Sequence, residues 1–155
     1  MSGVSLMLLL FLFISNCASG DKIFSTDVWN ITYDDQQGGI ALTYKSKNIC
    51  NGMYASYQWE GKEIKTSDYA RHKISTGKVS DSFGKGHIYK VEYTDKELPK
   101  LTQYFYLYPG KEYILTDFTV EAKEEIRSGR MAPVNVDSIS GFLQAGDNRA
   151  LFVPF

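Results

Sequence analysis

Trp29, Trp59, Tyr104, Tyr106 and Tyr108 are the residues of this chain best suited to hold a ligand. An indole or phenol ring offers a flat apolar face that matches the apolar face of a pyranose. The alternate spacing of Tyr104, Tyr106 and Tyr108 sets three such rings on one side of an extended strand. Stacking on a sugar requires that row to be planar and exposed, whereas packing in a core is the ordinary use of aromatic residues.

Catalytic chemistry has fewer candidates. Glycoside hydrolysis needs two carboxyl groups flanking the scissile bond, and Asp117, Asp137 and Asp147 are available. Asp147 lies in a Gly-Asp-Asn turn, where its side chain bonds nearby backbone, and Asp117 lies mid-strand among cross-strand partners. No serine occupies a Gly-x-Ser-x-Gly elbow. His72 and His87 are the only histidines and have no further ligand at metal-site spacing. The sequence therefore assigns no catalytic residue, no metal site and no cofactor.

The composition limits the partners. Lys and Arg number 17 against 18 Asp and Glu, a net charge of −1, which leaves no basic footprint for nucleic acid or an anionic membrane. Leu6 to Ile14 is apolar throughout but shorter than the ~20 residues of a membrane span, and Ser15-Asn16-Cys17-Ala18-Ser19-Gly20 follows it. Residues 1–20 are thus expected to be a signal peptide and the protein to be exported: secreted, periplasmic or lipid-anchored at the cell surface. Cys17 stands where a lipoprotein signal carries its lipidated cysteine, with cleavage after Ala18 or Gly20 as the rival; a membrane enters only through that anchor. Either outcome leaves Cys50 as the one cysteine of the folded part, a small buried hydrophobe.

The elements that must position these residues read as strands. Aromatics make up 14% of the chain, with 11 Tyr, and apolar residues nowhere recur at helical spacing over a useful length. Strands are expected over residues 23–33, ended by the cluster Asp34 to Gly39, then over 40–44 and over 53–59 after Asn51-Gly52. The last of these returns through Glu60-Gly61-Lys62 into 63–65. Residues 66–78 read as a polar loop with a short strand near Ile74. Hairpins follow around Gly84-Lys85-Gly86 and around Pro109-Gly110-Lys111, the second joining 101–108 to 112–121. Lys123-Glu124-Glu125 reads as a solvated corner, and Asn30-Ile31-Thr32 is a glycosylation sequon that has meaning only in a eukaryotic secreted protein. These elements predict one all-β domain over residues 21–155, an antiparallel β-sandwich of the supersandwich kind. The apolar run Leu151 to Phe155 starts a strand without a continuation, so the domain is expected to be truncated at its C-terminus.

The stretch Ser128-Gly129-Arg130-Met131-Ala132-Pro133-Val134, followed by Gly146-Asp147-Asn148-Arg149-Ala150-Leu151-Phe152-Val153-Pro154-Phe155, resembles the N-terminal β-sandwich region of secreted bacterial α-galactosidase-like glycoside hydrolases, related to melibiases and raffinose synthases. The order of a leader, an early Trp-bearing strand and Tyr-rich hairpins is also similar. In such enzymes the sandwich precedes a (β/α)₈ barrel that carries the catalytic aspartates. The resemblance implies a non-catalytic accessory domain whose partner is a catalytic barrel missing from this chain, and it carries no catalytic residue over. This polypeptide alone is then expected not to hydrolyse galactosides. The residues leave two further readings open: a complete secreted sandwich or barrel that binds a carbohydrate or small apolar ligand, and a surface lipoprotein without a ligand.

Overall fold

The computed structural model describes residues 22–34 and 38–136. The leader, Cys17, the turn residues 35–37, Asp137, Asp147 and the terminal run Leu151 to Phe155 lie outside the described residues. The described chain is built almost wholly of β-strands in two antiparallel sheets, the all-β sandwich architecture expected from the sequence.

The expected first strand is two strands, β1 (Lys22–Ser25) and β2 (Trp29–Tyr33). The chain reverses between them because the Thr26 hydroxyl accepts hydrogen bonds from the Trp29 N–H at 3.0 Å and the Val28 N–H at 3.3 Å. Such a side chain offers the backbone an alternative to a continued ladder. After β3 (Ile40–Tyr44), Lys45 and Ser46 both adopt positive φ, 45° and 65°, in a tight hairpin turn. The next strand, β4 (Lys47–Trp59), starts earlier than expected, and Asn51-Gly52 lies inside it. Gly52 has φ 66°, and the β3 pairing shifts register there, so the dipeptide makes a bulge that bends the strand. Glu60-Gly61 turns the chain into β5 (Lys62–Lys65).

The expected loop over 66–78 holds only a short 3-10 turn, Thr66–Asp68, before an eleven-residue strand, β6 (Arg71–Asp81). This strand lies at a sheet edge, where polar side chains such as Lys73, Ser75 and Lys78 meet solvent and the apolar alternation is diluted. The following turn falls at Ser82-Phe83, so Gly84 and Gly86 belong to β7 (Gly84–Thr94). The hairpin of β8 (Lys100–Leu107) and β9 (Ile114–Glu121) forms around Pro109-Gly110 as expected, and β10 (Met131–Asn135) completes the described strands.

β4 is the hinge of the first sheet, which runs β1-β2-β3-β4-β10 with β5 also paired to β4. The second sheet is the meander β6-β7-β8-β9. Their facing sides supply the core: Ile31, Tyr33, Ile40, Met53 and Tyr57 from the first, and Val91, Tyr93, Leu101, Phe105 and Leu107 from the second, each at most 2% exposed. Full burial of one such aliphatic or aromatic side chain contributes roughly 1.5–3 kcal/mol. Phe24 meets Tyr89 across the gap with ring centroids 4.2 Å apart. Two buried tyrosine hydroxyls are paired in place: Tyr57 and Tyr69 share a hydrogen bond of 3.0 Å, and Tyr69 donates to the Pro99 carbonyl at 2.7 Å. Gln103 ties the sheets together by donating to the Pro133 carbonyl at 2.9 Å.

Candidate functional site

Period-two alternation divides β8 sharply. Leu101, Gln103, Phe105 and Leu107 are buried between the sheets, while Tyr104 and Tyr106 are half-buried on the opposite side and take no part in the core cluster. Register places Tyr104 between Lys90 of β7 and Asp117 of β9, and Tyr106 between Ile88 and Leu115. The two phenol rings lie nearly parallel, with centroids 6.4 Å apart and an interplanar angle of 24°. An aromatic pair with aliphatic shoulders and charged neighbours therefore covers the middle of the outer face.

The charges on this face are largely compensated. Glu92 lies 3.1 Å from Lys90 and 3.2 Å from Lys100, and Lys100 lies 3.5 Å from Glu121. Hydrogen bonds from Lys90 and Lys100 hold the Glu92 carboxyl below the usual carboxylate range, and Glu92 in turn raises Lys100. Burial pushes the Tyr106 phenol up, aided by the nearby Asp117 charge. Tyr106 thus stays a neutral donor and acceptor at physiological pH. Asp117 accepts a 2.7 Å hydrogen bond from the Phe118 N–H, which orients its carboxylate.

Tyr108 departs from the expected row. It lies just beyond β8, 2% exposed, beside Phe83 and Tyr113, whose ring centroids stand 6.1 Å and 6.3 Å away. Its hydroxyl donates to Asp81 Oδ2 at 2.6 Å, and burial followed by that hydrogen bond pushes its pKa up to about 12. The ring passes directly over Gly86, where a Cβ would come within 2.8 Å of it and within 2.5 Å of the Leu107 carbonyl oxygen. Tyr108 offers no free face for stacking. Phe83 at 52% and Tyr113 at 38% exposure stand in its place.

The two tryptophans sit elsewhere and apart. Trp29 packs on Tyr44 with centroids 4.8 Å apart and against the core, its buried Nε1 without a hydrogen-bond partner among the described residues. Trp59, at the end of β4, lines an open cleft of about 940 Å³ with Leu98, Pro99, Lys100 and Glu121. The turns after β7 and β9 form the walls of that cleft. In the first of them Asp95 accepts from the Glu97 N–H at 3.0 Å and the Ala70 N–H at 3.3 Å, bonds that hold its carboxyl low.

The remaining candidates have structural surroundings. His72 Nε2 lies 3.0 Å from the Tyr69 carbonyl oxygen, and its ring packs edge-on against Tyr33 and Tyr93. Cys50 is buried, and burial raises its thiol pKa. Among the described residues no group of three or more His, Cys, Asp or Glu could hold a metal ion. Of the five aromatic candidates, the structure brings only Tyr104 and Tyr106 together on an accessible surface. Sequence reading missed Ile88, Lys90 and Leu115 as their neighbours, and Phe83 as the neighbour of Tyr108. Strand register was the signal that could have found the first three, once the hairpin turns were placed correctly.

Fold and surface together define a two-sheet antiparallel β-protein with an outward tyrosine pair on one sheet and an open cleft at one end. Comparison with family models, with curated proteins and with solved structures gives no match.

Proposed function

We propose that the protein is a non-catalytic carbohydrate-binding β-sandwich, serving as an accessory domain of an exported α-galactosidase-like glycoside hydrolase. The observation that carries the binding reading is the near-parallel Tyr104–Tyr106 pair, half-exposed at 6.4 Å on the outer face rather than spent in the core. Parallel rings suit the apolar faces of successive sugar units. Lys90 and Asp117, directly beside Tyr104, supply a donor and an acceptor for hydroxyl groups. The accessory role rests on the sequence stretches 128–134 and 146–155, and export rests on the leader.

The Trp59 cleft favours a second reading, a compact ligand held at the end of the sandwich. Titration of purified protein with soluble galactans and glucans separates the two. Tyr104→Ala and Tyr106→Ala are each expected to weaken binding about fivefold, as loss of one stacking partner does, without changing the far-ultraviolet spectrum. Loss of binding in Trp59→Ala alone would move the site to the cleft. Hydrolysis of an aryl α-galactoside by this chain, above a vector control, would overturn the non-catalytic reading.

A further inference from the structure

The tyrosine pair is the centre of a longer strip. Alternation on β8 places Lys100, Tyr104 and Tyr106 on one face, with Thr102 between them buried opposite Glu92, to which Lys90 and Lys100 bridge. Phe83 and Tyr113 extend the strip at the Tyr108 end. From Lys100 to Leu107 the strand advances about 23 Å, several times the width of one sugar ring. Neither end is walled: Lys100 and Glu121 form part of the rim of the Trp59 cleft, and Phe83 stands exposed at the other end. The β6 side is low as well, because Ser75 and Gly77 are the residues opposite Lys90 and Ile88. Of the charged groups along the strip, Lys73, Lys90 and Lys100 against Glu92, Asp117 and Glu121, Lys90 and Lys100 bridge to Glu92, and Lys100 also reaches Glu121. Little net charge is left to attract an ionic polymer.

We infer that this face binds an internal segment of an uncharged, linear polysaccharide, lying along β8 with the Tyr104–Tyr106 pair at its centre. The inference rests on the carbohydrate-binding reading and deepens it. A pocket for a chain end or a single sugar closes around its ligand, whereas this surface runs along the strand and is closed at neither end. Recognition of an extended chain follows from that shape, with affinity accumulating over successive contacts along the strip. Near-balanced charge excludes polyuronates and polyamines as the main ligands.

Calorimetric titration with neutral galacto- and gluco-oligosaccharides, from the monosaccharide to the hexasaccharide and then the polymer, tests this directly, with polygalacturonate and chitosan as charged comparisons. The expected result is affinity that rises at least tenfold from disaccharide to hexasaccharide. The double variant Phe83→Ala/Tyr113→Ala should weaken binding of the hexasaccharide and leave that of the disaccharide unchanged. Its near-ultraviolet spectrum and melting temperature establish that it is folded; if it is not, Lys100→Ala gives the same comparison from the opposite end of the strip. Equal affinity for short and long ligands would overturn the inference and keep carbohydrate binding. Preference for a charged polymer would overturn the neutral-ligand assignment. Absence of binding to every saccharide would overturn both this inference and the function beneath it.

Discussion

The two ends of the sandwich are built from the same strands and treated differently. At one end the turns are tied to each other: Lys45 reaches Glu112 at 2.6 Å, the Gly110 N–H donates to Asp27 at 3.1 Å, and Tyr108 donates to Asp81 at 2.6 Å. The first two of these bonds join the two sheets. At the other end the turns after β7 and β9 stand apart around the Trp59 cleft, and their side chains Lys96, Glu97, Lys123, Glu124 and Glu125 are exposed. Hydrogen bonds are made at both ends: at the first they join turns of the two sheets to each other, whereas at the second Tyr69 and Ala70 hold the turn after β7 and the cleft beside Trp59 stays open.

The contrast breaks most severely at Gly86. Gly86→Ala places a methyl group within 2.5 Å of the Leu107 carbonyl oxygen and 2.8 Å of the Tyr108 ring. Neither neighbour is the free end of a flexible chain, so chemical denaturation should show a loss of about 1–3 kcal/mol, the range for overpacking. Loss of the Tyr108 ring from its seat should accompany it in the near-ultraviolet spectrum.

A smaller effect is expected from Tyr108→Phe, which removes one hydroxyl, and its signature is the pH profile of stability. Asp81 is lowered from its ordinary 3.8, chiefly by the Tyr108 hydrogen bond, so the stability it contributes is present above that value and is lost as pH falls through the lowered one. Tyr108 is raised from 10.0 to about 12, so its contribution is complete below pH 10 and is lost as pH rises through about 12. Tyr108→Phe should flatten both limbs relative to wild type when melting temperature is followed across pH.

Lys45→Ala should cost less again. The pair is exposed, with side-chain accessibilities of 56% for Lys45 and 65% for Glu112, and salt screens such contacts. Its destabilisation should be measurable at low ionic strength and fade in concentrated salt. At the open end, Glu124→Lys should leave the melting temperature unchanged, since that side chain projects into solvent with no described partner to lose.

These differences also mark what could be read from sequence. The β8–β9 hairpin was legible because Pro109-Gly110 punctuates two runs of alternating aromatic and β-branched residues. Strand β6 was not, because an edge strand meets solvent along much of its length and its polar residues read as a loop. The corner between β1 and β2 was missed because Thr26 makes it with a side-chain hydroxyl and neither glycine nor proline marks it. The shared face of Tyr104 and Tyr106 followed from period two. The covering of Tyr108 did not, since Phe83 reaches it from the turn of a different hairpin, a contact that exists only once register is known. Trp59 and Trp29 carry no local signal that separates a cleft wall from core packing.

The claim that the outer tyrosine face is the binding surface is tested most directly by mapping amide and side-chain NMR shifts while a neutral linear oligosaccharide is titrated into the protein. Shifts concentrated at Ile88, Lys90, Tyr104, Tyr106, Leu115 and Asp117 are the expected result. Shifts confined to the residues around Trp59, or none at saturating ligand, would contradict it.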